Sequence, residues 1–192
     1  MAAGGSSRMG SPKQLLPWNN STLIETAIKT ALASSSGKIF VVLGANSNQI
    51  SQHITSYDVE TLYNKHWVKG LGHSIAAGVK HIMSHDSFNG VLVMLADQPL
   101  ISSDDLDKLI ASFKEGKRQI VATQYENTRI GVPAIFDQFY YQQLATLNED
   151  KGAKEVLLAN KEHILAIELS NKLLDIDTKE AYNKLLKITR QL

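Results

Sequence analysis

The sequence predicts an α/β protein with three layers, a mostly parallel central sheet covered by helices on both faces. Three observations predict it. Short β-branched runs alternate with segments of helical period, the order that builds parallel βα units. Residues 90–96 (GVLVMLA) are the most apolar run and read as a fully buried central strand. A glycine-rich segment begins at residue 2, and in doubly wound folds such a loop leaves the end of a central strand and faces the ligand.

The elements follow in chain order. Thr22, with Glu25 three residues on, forms a capping box for a helix to residue 33, and Ser35, Ser36 and Gly37 supply its exit. A strand comes next over 39–43. After Gly44 a polar helix covers 47–54, a strand lies around 59–63, and a further helix spans roughly 74–84. The central run 90–96 ends in Asp97-Gln98-Pro99. Ser102 or Ser103 then caps a helix to about residue 115, strands follow near 119–124 and 132–136, and 150–160 and 178–189 read as two more helices. With no internal repeat or long linker, the expectation is one domain over residues 1–192. Nothing ahead of residue 2 can form the strand that should anchor the glycine loop. The first strand therefore reads as missing, and a truncated start is expected.

Composition narrows the chemistry. The chain has 192 residues, 43% hydrophobic and 20% charged, which suits one ordinary core. The net charge is +1 with no run of Lys or Arg, so no nucleic-acid partner is expected. There is no cysteine, so a metal must be held by oxygen or imidazole. No apolar stretch approaches the roughly 20 residues that span a bilayer, and a cytoplasmic protein without a membrane partner is the expectation.

Ala2-Ala3-Gly4-Gly5-Ser6-Ser7-Arg8-Met9-Gly10, followed by Lys13, gathers glycines, hydroxyls and two fixed cations. Glycines let consecutive N–H groups close around phosphate oxygens, and Arg8 and Lys13 neutralise charge that amides cannot. It is neither a Walker loop nor GxGxxG, and a flexible Gly/Ser tail has the same composition. Asp97, at the exit of the apolar strand, suits a magnesium ligand, though an aspartate also opens turns before proline. Asp175 and Asp177 lie on one face of an extended segment, and either suits a second metal ligand or a helix cap. His81 and His85 are spaced for chelation but lack a third ligand, and Trp18 and Trp67 are either packed or available to stack on a base. Asn20-Ser21-Thr22 matches a glycosylation acceptor by coincidence.

The AAGGSSRMGxxK opening, the distal ADQP and the terminal DIDT resemble the MobA-like NTP transferase family, most of all its molybdenum cofactor cytidylyltransferase branch. Asn64, Trp67, Gly70 and Ser74 resemble its N-x2-W-x2-G-x3-S segment. Gly131-Val132-Pro133 and Asp150-Lys151-Gly152-Ala153 resemble its GxP and DxGA segments. The resemblance implies that Ala2, Ala3, Gly4, Gly5, Ser6, Arg8 and Lys13 hold the nucleotide, with Asn64, Gly70 and Ser74 along the same cleft. It implies Arg8, Lys13 and Asp97 as the catalytic set, with Mg²⁺ on Asp97 and Asp177 and Asp175 as the lesser choice. Gly131, Pro133, Gly152 and Ala153 would face a molybdopterin-type acceptor. The Ala-Ala-Gly opening resembles the pyrimidine users, which implies CTP, release of pyrophosphate and hand-over to a recipient molybdoenzyme. Competing readings are a guanylyl, sugar-phosphate or polyol-phosphate nucleotidyltransferase, and a non-catalytic chaperone for the molybdenum cofactor.

Overall fold

The structure, a computed structural model, describes residues 1–85, 87–125, 129–169 and 174–189. β1 (Pro17–Trp18) and β2 (Ser21–Thr22) form a small antiparallel hairpin ahead of α1 (Leu23–Ala33). The predicted capping box starts that helix: the Thr22 hydroxyl accepts from the Glu25 N–H, and the Glu25 carboxylate accepts the Thr22 N–H at 2.9 Å. β3 (Phe40–Leu43), α2 (Ser47–Ile54) and β4 (Glu60–Tyr63) make a βαβ unit whose strands pair in parallel. α3 (Leu71–His85) leads to β5 (Gly90–Val93), and Ser102, not Ser103, caps α4 (Ser103–Ser112). β6 (Ile120–Gln124), β7 (Ile130–Asp137), α5 (Tyr141–Ala145), α6 (Lys154–Ala159), β8 (Ile164–Glu168) and α7 (Lys179–Thr189) complete the order.

One half of the sheet runs β5-β7-β6-β8, with β7 antiparallel to both neighbours and β6 parallel to β8. The other half is β3 with β4, and residues 1–3 join the two halves. Ala2 bridges Leu43 in the parallel sense and donates its N–H to the Val42 carbonyl at 2.9 Å. On the opposite side the Met1 carbonyl accepts the Ala96 N–H at 3.1 Å. The glycine loop is thus anchored in the sheet by residues 1–3, where the sequence reading found no residues in the chain that could anchor it.

Period-two alternation along the strands fixes the layers. Val41 and Leu43 pack on Ile24 and Ile28 of α1 and Ile50 and Ile54 of α2. Val121 and Ile135 meet Leu109 of α4, which lies against α1. The residues between them, Val93, Ile120, Ala122, Ala134 and Phe136, face α3, α5 and α6 through Ile75, Val79, Leu144 and Val156. Among the described residues, no helix is long and apolar enough to cross a membrane.

Several expectations change. The run 90–96 is not buried throughout: Val93 is 4% exposed, but Val91 and Leu92 are half-buried because they border a gap between β5 and β3. α3 starts earlier, at Leu71. α6 starts later, because Gly152 at φ +59° and the turn before it cannot continue a helix. α5 and β8 were not expected. β8 is an edge strand, half-exposed or exposed along its whole length although Ile164, Leu165, Ala166 and Ile167 are apolar.

Candidate active site

A cleft of about 590 Å³ opens at the carboxyl ends of β3 and β5, where doubly wound sheets bind ligands. Ala2–Gly5 and Lys13 line one side, Trp67–Leu71 another, and Asp97, Asp175 and Asp177 the floor. The glycine loop is held in shape by Gln14, a buried residue that the sequence reading passed over. Its side-chain amide donates to the carbonyls of Ala2 at 3.0 Å and Gly4 at 2.8 Å. Ser6 adopts the left-handed region at φ 53°, and its hydroxyl accepts the Lys13 N–H at 3.0 Å. Met9 is buried with Trp18 in a small core beneath the loop. These ties argue for a built loop rather than a tail.

Two glycines permit the approach of Trp67. A Cβ on Gly5 would stand 2.9 Å from the indole ring, and one on Gly44 would stand 2.4 Å from the Trp67 Cβ and 2.6 Å from the Ala3 carbonyl oxygen. Both backbones bound the Gly-rich loop, so a methyl at Gly44 has nowhere to go. Gly44→Ala is expected to destabilise the protein by about 3 kcal/mol, the upper end for overpacking. Urea denaturation checks this, and an unshifted midpoint would show that Trp67 moves aside freely.

Lys13 joins the loop to the acidic floor. Its ammonium donates to Asp97 Oδ2 and, at 2.9 Å, to Asp177 Oδ1, and the Lys13 and Asp97 side chains are only 17% and 14% exposed. Burial alone would lower the Lys13 pKa, but the Asp97 charge and the hydrogen bonds to both carboxylates outweigh it and hold the pKa above the usual lysine range. Burial pushes Asp177 up, yet the bonds to Lys13 and the charges of Lys13 and Arg8 bring it below the ordinary carboxylate value. Arg8 reaches Asp177 at 3.1 Å from a largely exposed position.

Asp175 differs from its neighbour. Desolvation and the nearby charges of Asp97 and Asp177 push its carboxyl up, against a 2.8 Å hydrogen bond from Gln98 Nε2. The same Gln98 amide donates to the Tyr125 hydroxyl at 2.8 Å, and that hydroxyl donates to the Val132 carbonyl at 2.6 Å. Gln98 is therefore the hub that fixes Asp175 beside the cleft. The sequence showed it only as the residue between Asp97 and Pro99.

The remaining expected site residues fall into two groups. Gly70 and Ser74 line the cleft, whereas Asn64 is buried behind it and donates to the Ser74 hydroxyl at 3.0 Å. Asn64 thus ties the end of β4 to α3 and does not itself line the cleft. The four residues expected on the acceptor side do not line the cleft. Pro133 is buried within β7 after a cis peptide bond, and Gly131 is covered by the Tyr125 ring. Gly152 packs on Leu71 and Ala153 lies in the main core, so their sequence pattern reflects packing of the 149–153 turn against α3. From that turn it is Asp150 that lines the cleft, accepting the Leu71 N–H at 3.3 Å. Trp18 is core, His81 pairs with Glu60, and the side chain of His85 lies outside the described residues.

Magnesium fits this donor set. Asp97 Oδ1 is buried without a hydrogen-bond partner, which leaves a carboxylate oxygen free to bind a cation. The described residues hold no cluster of three or more metal-ligating side chains, and magnesium is usually held by one or two carboxylates together with phosphate oxygens and water.

An anchored glycine loop that faces carboxylates across a cleft defines an α/β protein built to handle a phosphorylated ligand. The chain belongs to the MobA-like NTP transferase family, whose domain profile matches residues 1–164. It is 30% identical over 97% of its length to nicotine blue oxidoreductase of Paenarthrobacter nicotinovorans, spanning 94% of that protein. It is 26% identical to the molybdenum cofactor cytidylyltransferase of Escherichia coli K12, over 94% of this chain and 90% of that one. A nucleotidyl transferase from Methanothermobacter shares the fold at a TM-score of 0.84 and 22% identity, over 100% of this chain and 96% of that one.

Proposed function

We propose that the protein transfers CMP from CTP to the terminal phosphate of a molybdopterin-type acceptor and releases pyrophosphate. The observation that carries this reading is the juxtaposition of the glycine loop, Lys13 and the Asp97–Asp177 pair in one cleft. The likeness to the Escherichia coli cytidylyltransferase supports the choice of nucleotide and acceptor.

In the proposed reaction a terminal phosphate oxygen of the acceptor attacks the α-phosphorus of CTP. The new P–O bond forms as the bond to the β-phosphate oxygen breaks, and the electron pair leaves with pyrophosphate. No protein nucleophile is required. The Ala2–Gly5 backbone and Lys13 bind and orient the phosphates, Arg8 adds charge at the rim, and Trp67 walls the side of the cleft. Asp97 and Asp177 are the residues that would hold Mg²⁺. Asp175 is the lesser candidate, since its carboxyl is engaged by Gln98 and is harder to ionise. When bound, magnesium supplies positive charge beside the phosphate oxygens. The proposal extends to a recipient molybdoenzyme that takes the finished cofactor.

Calorimetry with CTP, GTP, UTP and ATP in excess Mg²⁺ tests the nucleotide choice. CTP is expected to bind at least tenfold more tightly than GTP, a difference of about 1.4 kcal/mol. A GTP preference would move the assignment to guanylyl transfer, and binding without pyrophosphate release on adding molybdopterin would favour a cofactor chaperone. Because one relative carries the name of an oxidoreductase, a nicotinamide dinucleotide belongs in the same titration. Its binding in place of CTP would overturn the reading.

A further inference from the structure

One carboxylate of the cleft has no part in the phosphate chemistry. Of the four that line the cleft among the described residues, Asp97 and Asp177 hold the Lys13 ammonium and Asp175 accepts from Gln98. The fourth, Asp150, belongs to the wall that carries Trp67, Gly70 and Leu71.

Asp150 is held in place from two sides. The Glu149 carbonyl accepts the Gly72 N–H at 2.9 Å, and Asp150 Oδ1 accepts the Leu71 N–H at 3.3 Å. Two glycines allow that approach: a Cβ on Gly70 would stand 2.6 Å from the Asp150 Cα, and one on Gly72 would strike the Glu149 carbonyl oxygen. Only Oδ1 is engaged. Asp150 has no ion pair among the described residues, and its Oδ2 has no partner there. Beside it the Trp67 indole lines the same cleft, fixed against Gly5 and Gly44.

Resting on the nucleotidyl-transfer reading above, we propose that Asp150 recognises the amino-bearing edge of a planar heterocycle laid along Trp67, and so determines which rings the cleft accepts. Charge sets the class of ligand. A phosphate beside an ionised carboxylate meets like-charge repulsion, and the glycine loop and Lys13 already provide for phosphates on the other side. An ionised carboxylate accepts hydrogen bonds and donates none, so the ring must present an amino group or a ring N–H. A ring carbonyl in that place sets a lone pair against a negative oxygen. The indole supplies apolar area for the flat face of the same ring. Because the carboxylate is already positioned, little ordering cost is left for the ligand to meet. Cytosine and an aminopterin ring both carry the required amino group, whereas uracil and lumazine carry oxygen there.

Calorimetry on the wild type and Asp150→Asn compares two amino/oxo pairs. One is CTP against UTP in excess Mg²⁺, and the other is 6-hydroxymethylpterin against its lumazine counterpart, in which oxygen replaces the 2-amino group. In the wild type the amino member of at least one pair is expected to bind about tenfold more tightly than its oxo partner. Asparagine can keep the Leu71 bond through its oxygen while turning an NH₂ donor to the ligand, so Asp150→Asn is expected to abolish or reverse that preference. Should Asp150→Asn fail to fold, Asp150→Ser, a shorter acceptor for the same N–H, takes its place and is expected to abolish the preference. Loss of the CTP/UTP preference places the nucleobase on Asp150, and loss of the pterin/lumazine preference places the acceptor ring there. A preference that survives the substitution, or none in the wild type, overturns the proposal and leaves nucleotidyl transfer standing. So does equal weakening of both members of each pair, which makes Asp150 only a tie to α3. A wild type that binds no nucleotide overturns the transfer reading and this proposal with it.

Discussion

Asp97→Ala is expected to lower nucleotidyl transfer on the order of 10³-fold or more, the loss of about 4 kcal/mol of transition-state stabilisation, while Tm stays within about 3 °C. The activity arm rests on position: Asp97 lies at the carboxyl end of the strand that borders the glycine loop, with one carboxylate oxygen on Lys13 and the other buried and unpaired. The stability arm rests on what remains. Lys13 keeps its 2.9 Å bond to Asp177, so no buried cation is left without a partner. The Asp97 backbone carbonyl still accepts the Ile176 N–H at 3.0 Å, so the segment carrying Asp175 and Asp177 stays docked. Removing an oxygen that has no partner also relieves its desolvation cost. Asp97→Asn serves as the isosteric check. An active alanine variant with normal Mg²⁺ dependence would sink the metal assignment, and a large fall in Tm for both variants would make Asp97 a structural residue.

The sequence revealed most of the fold because its local signals agreed with one another. The Thr22 capping box, the serine cap at 102 or 103, the polar stretch that becomes α2 and the β-branched run of β3 each carry a local cause, and each element lies where that cause puts it. What escaped depends on contacts distant in sequence. β8 is an edge strand whose partner β6 lies some 40 residues earlier, and no periodicity in residues 164–168 announces that pairing. The antiparallel course of β7 is likewise a property of the sheet.

The site divides along the same line. The glycine loop and Lys13 are legible because they lie together within the first 13 residues, and Asp97, 84 residues on from Lys13, because it follows the most apolar run of the chain. Gln14 and Gln98 were missed because glutamine is common and their roles exist only in three dimensions, as ties from loop to sheet and from Asp175 to Tyr125. Ala153 and Pro133 differ in the opposite direction, being buried away from the cleft they were expected to face. Ala153 lies in the main core, and Pro133 is buried within β7.

Lys13→Met is expected to lower transfer by about 10²-fold while tightening Mn²⁺ binding to the nucleotide-free protein at least tenfold. The two effects have opposite signs because Lys13 has two sets of partners. Without nucleotide its ammonium stands between Asp97 and Asp177, where a divalent cation would sit, and it neutralises the pair that would attract one. Both carboxylates attract the ammonium at hydrogen-bond distance, so a metal entering the wild-type site competes with a strong internal counter-ion. With its pKa held above the usual lysine range, that counter-ion stays charged through neutral pH, and raising the pH to 9 does not relieve the competition. In the proposed reaction, nucleotide phosphates would offer Lys13 a second anionic partner and so release the carboxylates for metal. Methionine keeps much of the side-chain volume but removes the charge, which frees the carboxylates while depriving the phosphates of a cation. Electron paramagnetic resonance of Mn²⁺ titrated into the nucleotide-free protein reads the first effect, and pyrophosphate release reads the second. Equal Mn²⁺ affinity in Lys13→Met and wild type would mean that the ammonium does not hold the metal position. A variant that transfers at the wild-type rate would remove Lys13 from the phosphate cradle.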